Sequence, residues 1–411
     1  MKFVSRRIFT TFIVSGSPSD TQACDYYAVE CSVSYIFHTF AAKLSNTHRM
    51  GIDMNEKAKT RYCYLSRNYN RTESAGGKAK MDIENIVESM GFHNVGLRRT
   101  TAQQPIFHFV LTLSGVLKAA CCLRRGDVLL LQYPLKKYYA FVCDMAHLHG
   151  AKVVTVIHDL GSFRRQKLTA AQEVKRLSHS DYIIAHNSRM LDWLSQQGCK
   201  TPMGTLELFD FLSESRPRAY DTTSSAYRIM YMGALNPRKN SFLYDWIKDL
   251  ATKPQATYKL SLYGSGFPTD KVPVTDAFEY NGFVQADQLI AEAQGSFGLV
   301  WDGASLDACT GNFGEYLQYN NPHKTSLYLR CGLPVIIWNK AALAEFVTRN
   351  GVGFSIGSLR ELDDVLRSLT PERYAEMRKR VKTVSERLAN GEFFRTAANE
   401  AIAHLESPEG R

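Results

Sequence analysis

From Thr60 onward the chain alternates short apolar runs with segments of helical length. The runs Arg61–Leu65, Asp127–Tyr133, Lys152–His158 and Asp181–His186 are β-rich and largely continuous, as in strands buried on both faces. Between them, Gly77–Met90, Tyr138–His149, Thr169–Ser178 and Ser188–Gln197 are long enough for helices. Buried strands separated by helices predict βαβ units and a parallel sheet with helices on both faces.

The rhythm stops at Pro217–Ser225, a polar, turn-rich stretch that predicts a linker. It restarts with strands predicted at Tyr227–Met232, Tyr258–Tyr263, Ser296–Trp301 and Leu333–Trp338. Helices are predicted at Ser241–Leu250, Ala286–Ala293, His323–Arg330 and Lys340–Thr348, followed by one long amphipathic segment from Pro371 to about His404. The pattern predicts an α/β protein of two doubly wound, Rossmann-like domains, residues 56–222 and 223–385, with a final helical segment, 386–411. Ligands of such sheets bind at the carboxyl ends of the strands, which places a site in the cleft between the domains.

Residues 1–55 lack this rhythm and are expected to be an accessory or poorly ordered extension. The run Ile8–Val14 behind Arg6 and Arg7 is short and broken by two threonines, unlike a signal sequence. Met50 and Met54 stand just before the regular pattern begins, so an upstream over-reading of the start remains open. No stretch is expected to reach the length and purity of a transmembrane helix.

Charge and cysteine change the picture in two ways. The net charge of +10 lies wholly in residues 1–225, with 29 Lys+Arg against 19 Asp+Glu; residues 226–411 hold 21 of each. Basic halves suit nucleic acid, anionic lipid or phosphorylated substrates, or are simply solvated. No recognition helix, zinc finger or RNA-binding aromatic signature is present, which disfavours nucleic acid. The nine cysteines form no C-x-x-C pair, so neither a zinc site nor a disulfide framework is indicated, and reduced thiols in the cytoplasm are expected.

Candidate chemistry concentrates in the second half. In Tyr319-Asn320-Asn321-Pro322-His323-Lys324-Thr325-Ser326, Pro322 suits an early helical position, and the helix start attracts phosphate. Lys324, Thr325 and Ser326 add a cation and two hydroxyls, and Gly332 fits the left-handed residue that ends the helix. A plain helix cap is the competing reading. Glycine turns follow the preceding strands: Gly233, leading to Arg238 and Lys239; Gly264; Gly282-Phe283; and Trp301-Asp302-Gly303. Together they point to a diphosphate held at the sheet edge. The phosphate-loop motif and the full dinucleotide fingerprint are both missing, which argues against an NTPase or a dehydrogenase and towards a nucleotide-sugar.

The set Gly233…Arg238-Lys239, Tyr263-Gly264, Gly282-Phe283, Phe297–Trp301 and Asn321-Pro322-His323-Lys324-Thr325-Ser326…Gly332-Leu333-Pro334-Val335-Ile336 resembles bacterial GT-B glycosyltransferases. Within them it is most similar to the galactofuranosyltransferase group, which overlaps with glucosyltransferases that extend sugars on serine-rich adhesins. The likeness spans residues 60–405 and is densest from Gly295 to Ile337. It implies a UDP-sugar in the second domain, with Lys239 and Lys324 on the pyrophosphate and the Gly282-Phe283 turn near the base. It also implies a last helix returning to the first domain, a glycan or lipid-linked glycan acceptor, surface-polysaccharide synthesis and no metal cofactor. Many retaining members carry two spaced glutamates on the phosphate segment; here Glu315 stands alone. A non-catalytic nucleotide-sugar-binding subunit and a sugar epimerase are the rival readings, and homo-oligomerisation stays open.

On the first-domain side, Asp159 follows the most β-rich strand and is the candidate base, with His158 as second candidate. A loop acceptor for Ser162 and its arginines is the alternative role of Asp159. Arg164 is a candidate for anionic acceptor groups, and the loop carrying Ser74, Gly76 and Gly77 suits acceptor or donor phosphate, or is an ordinary connection. His186-Asn187-Ser188 either lines the cleft or caps a helix. The apolar segment Ile106–Leu123, flanked by Arg98-Arg99 and Arg124-Arg125, is either a core helix or a peripheral membrane contact on the cytoplasmic face.

Overall fold

The computed structural model describes residues 60–69, 74–163, 166–218 and 226–408. The extension 1–55, Arg164 and most of the expected linker lie outside the described residues.

Two six-stranded sheets, all parallel, form the frame. In the first, β1 (Tyr62–Tyr64), β2 (His93–Asn94), β3 (Val128–Tyr133), β4 (Lys152–Ile157), β5 (Tyr182–Ala185) and β6 (Met203–Thr205) lie in the order β2-β1-β3-β4-β5-β6. In the second, β7 (Tyr227–Met232), β8 (Tyr258–Tyr263), β9 (Phe278–Tyr280), β10 (Phe297–Val300), β11 (Val335–Trp338) and β12 (Gly353–Ile356) lie in the order β12-β11-β10-β7-β8-β9. The central strands β3, β4, β10 and β11 match their apolar runs because helices cover both faces. The strands that sequence alone passed over, β2, β6, β9 and β12, are the four sheet edges. They are short and partly exposed, so no apolar run marks them.

Helices of the first unit are α1 (Ala75–Ser89), α2 (Pro105–Cys122), α3 (Tyr139–Leu148), α4 (Ala170–Leu177) and α5 (Ser188–Gln196). The second unit contributes α6 (Pro237–Asn240), α7 (Phe242–Ala251), α8 (Ala286–Glu292), α9 (Gly311–Tyr316), α10 (His323–Arg330), α11 (Ala344–Arg349) and α12 (Leu362–Arg367). The single segment expected from Pro371 is two helices, α13 (Pro371–Ala389) and α14 (Glu392–Glu406). Gly391 separates them at φ 72°, a left-handed conformation that ends the first helix and re-aims the second. Phe394, Ala397, Ala398 and Ala401 of α14 pack into the core of the first unit, against Ile86 and Val87 of α1.

The crossover is anchored rather than loose. Buried Arg330 donates to the carbonyls of Phe211, Ser213 and Ser215 and to the Ser385 hydroxyl, tying α10 and α13 to the connecting chain. Asp210 accepts the N–H groups of Phe393 (3.3 Å) and Phe394 (2.7 Å), satisfying the first turn of α14.

Candidate active site

The carboxyl ends of β7, β8 and β9 carry Gly233, Gly264 and Gly282, all with positive φ. Gly264 N–H donates to Gly282 O at 2.7 Å, and a Cβ on Gly264 would fall 1.7 Å from Gly233 O. Gly264 is therefore demanded by two backbones in contact. A Cβ on Gly233 or Gly282 would meet nothing within 4 Å, so the space beside these turns is open. Phe283, next to Gly282, is 53% exposed.

Beside these turns lies a buried charged knot. Asp302, following β10, accepts from the Tyr231 hydroxyl at 2.7 Å and from Lys324 Nζ at 3.1 Å. Lys239 Nζ, from α6, lies 3.6 Å from its other oxygen. Burial disfavours the charged carboxyl, but the two ammonium groups and the Tyr231 hydroxyl outweigh it and hold Asp302 below the usual aspartate value. Burial lowers Lys324 to about 8, with Asp302 opposing the shift. Lys324 also sits 4.2 Å over the Tyr231 ring. The arrangement brings together Lys239, Lys324 and Asp302 from three separate segments. Tyr231 and Asn240, which donates to Ala234 O at 2.9 Å, complete it. Sequence reasoning passed over both, because a strand tyrosine and a helix-end asparagine carry no local signature.

The rest of the phosphate-turn motif divides. Pro322 is the N-cap of α10, with ψ 125°, and not a residue of its first turn. Its side chain cannot cap; Thr325 N–H donates to Pro322 O at 2.9 Å, which leaves the N–H groups of His323 and Lys324 at the helix start. Thr325 and Ser326 face inward: both are buried, and Ser326 donates to Phe209 O at 2.6 Å. Helical rotation turns these two hydroxyls away from the Lys324 face. His323 stacks on Phe211 at 4.9 Å, and burial lowers its imidazole to about 4. Gly332 ends the helix at φ 73°, as its position predicts.

Tyr319 and Asn321 point into the first unit. Asn321 N–H donates to His186 Nδ1 at 2.9 Å, and its side chain donates to His186 O (2.6 Å) and Glu207 O (2.9 Å). Asn187 donates to Asn321 Oδ1 at 2.7 Å and to Tyr319 O at 2.9 Å, while its own side-chain oxygen caps α5. His186 donates through Nε2 to Ile157 O, which fixes the neutral tautomer that accepts from Asn321. The Tyr319 ring joins Phe163 (4.7 Å) and Trp193 (6.3 Å). The Asn321 side chain is thus occupied by domain docking, while Tyr319 contributes its backbone carbonyl and its ring to the same contact.

Across the cleft, β4 ends at Ile157 and delivers His158 and Asp159, both half-buried. Tyr316, carried over from the second unit on α9, accepts the Leu160 N–H at 3.0 Å. Its hydroxyl is held in its protonated form by burial and by the adjoining Asp159 carboxylate. Glu173 of α4 accepts from Gly161 N–H (3.0 Å), Ser162 N–H (2.6 Å) and the Tyr133 hydroxyl (2.7 Å), fixing the loop that follows Asp159. His158 donates through Nε2 to Gln132 Oε1 at 2.7 Å and stacks on Phe209; burial and nearby cations lower its pKa well below the usual histidine value. The Nε2 proton of His158 is thus committed to Gln132, which leaves Nδ1 as its one nitrogen able to accept a proton. Ser74 caps α1 by accepting Gly77 N–H at 3.1 Å, and a Cβ on Gly76 would meet nothing within 4 Å.

Two parallel sheets meeting at their carboxyl ends, with cations on one side and a carboxylate on the other, define a two-domain glycosyltransferase of GT-B architecture. HepE from Anabaena, solved with UDP and glucose, superposes with a TM-score of 0.55 at 13% identity, covering 84% of this chain and 100% of HepE. Sucrose-phosphate synthase from Thermosynechococcus elongatus gives a TM-score of 0.56 at 13% identity over the same shares. Residues 62–208 match the family described as glucosyltransferase 3-like, N-terminal domain, and residues 229–401 match its C-terminal domain. The chain is 30% identical over 342 residues to the beta-1,6-galactofuranosyltransferase WbbI of Escherichia coli (strain K12), covering 83% of this chain and 98% of that one. Glucosyltransferase 3 of Streptococcus gordonii is 26% identical over 292 residues, covering 68% of this chain and 80% of the relative. The chain belongs to the glucosyltransferase 3-like family and is a glycosyltransferase.

Proposed function

We propose that the chain transfers a hexosyl residue, galactofuranosyl first, from a UDP-sugar to a glycan acceptor in the assembly of a cell-surface polysaccharide. The observation that carries the reading is the convergence of Lys239 and Lys324 on Asp302 at the cleft edge of the second sheet. A diphosphate entering between them would replace a carboxylate as their counter-ion, with the leading N–H groups of α10 as further donors. Charge developing on the departing UDP would then be met by two ammonium groups in a poorly solvated place, the usual large term in such catalysis, without a bound metal. Asp159, braced by Tyr316 and by the Glu173-held loop, would take the proton of the acceptor hydroxyl.

Galactofuranose leads because the relative at 30% identity, matched over nearly its whole length, bears that name. UDP-glucose is the second reading, favoured by the glucosyltransferase 3 relatives. The seven described cysteines are free thiols, which supports a reducing, cytoplasmic setting. A donor screen tests the assignment: product from UDP-galactofuranose but not UDP-glucose supports it, the reverse favours the second reading, and no stabilisation by UDP overturns both. A nucleotide held at about 100 times its dissociation constant should stabilise the fold by roughly 2.7 kcal/mol.

A further inference from the structure

Helix α2 is buried at one end only. Ser114, Gly115, Val116, Ala119, Ala120 and Cys121 form its buried face, while none of its first nine residues is buried. Those nine, Pro-Ile-Phe-His-Phe-Val-Leu-Thr-Leu, carry no charged side chain. Ile106 is 77% and Phe109 48% exposed, and Phe141 in the first turn of α3 adds 42% exposure. In a parallel α/β unit a helix starts at the carboxyl edge of the sheet, so these side chains lie on the cleft rim. The contact of Asn68 with His108 (2.8 Å) and with Ala102 O (2.8 Å) ties this helix start to the chain leaving β1.

Cations predominate along the chain that forms this tip, although Asp144, one turn beyond Phe141 on α3, is exposed and paired with His179. From Ser89 to Cys143 the single acidic residue is Asp127, which is buried and paired with Arg61. Arg98, in the loop entering α2, is exposed, and Lys137 Nζ lies 5.2 Å over the Phe109 ring. Apolar side chains at a tip with cations beside them match the two layers of an anionic bilayer surface, hydrocarbon beneath phosphate. A protein partner would leave unexplained why acids are missing from the whole stretch.

We propose that the start of α2, with Phe141 and Lys137, is a peripheral docking site for anionic lipid that sets the cleft rim against a membrane. Contrary to the sequence expectation, this helix of 18 residues is apolar enough to span a bilayer by length and composition. Its second half is packed in the core, which restricts it to lying on the surface. The inference goes beyond the donor assignment and holds whichever sugar is moved. Docked this way, the acceptor side of the cleft opens towards lipid-borne glycans.

Flotation with phosphatidylcholine vesicles, with and without phosphatidylglycerol, tests this at low and high salt. Wild-type protein should float with the anionic vesicles and far less with neutral ones. The double variant Ile106→Asp/Phe109→Asp should lose at least about tenfold in retention, and Lys137→Glu should lose binding to anionic vesicles selectively. UDP binding by the double variant, measured by calorimetry, should equal wild type, which separates loss of docking from loss of fold. Wild-type protein that stays unbound at low salt, or a double variant that floats equally well, would overturn the proposal. So would a wild-type dimer in sedimentation velocity that the double variant dissolves, since the face would then belong to a second copy of the chain.

Discussion

Lys324 and Asp302 form an ion pair of 3.1 Å at the end of β10, and Asp302 also holds Lys239 at 3.6 Å. One buried carboxylate therefore holds two lysine side chains close together before any substrate arrives.

Replacing Lys324 by Met keeps an unbranched side chain but removes one of these charges. The variant should lose about 10²–10³-fold in kcat, with a smaller change in the KM of the acceptor. Steady-state kinetics with the donor that the screen selects would show it, and an unchanged kcat would remove Lys324 from the reaction.

Burial places Lys324 at about 8, below the ordinary lysine value of 10.5. The ammonium is complete below that pH and is lost as pH rises through it, so UDP affinity should fall on the alkaline side of about 8. Asp302→Asn removes the partner that raises the lysine, and the fall should begin at lower pH. Calorimetric titration of UDP across pH 6.5–9.5, roughly, would reveal either limb.

Tyr316→Phe deletes a hydroxyl that accepts from Leu160 and adjoins Asp159. Stability should fall by about 1 kcal/mol. Activity should fall further than stability accounts for, and Asp159→Asn should lower kcat by about 10²–10⁴-fold if this carboxylate is the base. Urea unfolding alongside kinetics separates the two effects.

Asp210 is raised to about 7 by burial, although two N–H groups of α14 favour its charged form. A carboxyl with a raised folded-state pKa adds stability that is present at low pH and is lost as pH rises from about 4 through 7. Asp210→Asn still accepts an N–H without burying charge. It should match wild type near pH 4 and exceed it at pH 8 by on the order of 1–3 kcal/mol in urea unfolding.

Gly264→Ala should be the most damaging of the glycine changes, because its Cβ would meet Gly233 O at 1.7 Å. A loss of up to about 3 kcal/mol in thermal unfolding is expected. Gly76→Ala, with nothing within 4 Å, should be close to neutral by the same measurement.

Strands such as Val128–Tyr133 and Val335–Trp338 were legible in the chain because a strand covered on both faces must be apolar throughout. The glycine turns and the positions of Lys239 and Lys324 were legible for a related reason: backbone approach and charge leave marks on single residues. Tyr319, Asn321, Thr325 and Ser326 were a different matter, since the motif that contains them looks uniform along the chain. Helical rotation sends Thr325 and Ser326 into the core, docking against His186 and Asn187 claims the Asn321 side chain, and the Tyr319 ring packs on Phe163 and Trp193. Periodicity and composition by themselves determined a two-sheet α/β protein with a cation-bearing phosphate edge. Only the tertiary structure decided that Asp302 gathers both lysines, that Tyr316 reaches Asp159 from the other domain, and that α2 leaves its first half uncovered. Each of these joins segments far apart in the chain, and local sequence carries no record of which distant group will satisfy a buried charge or cover an apolar face.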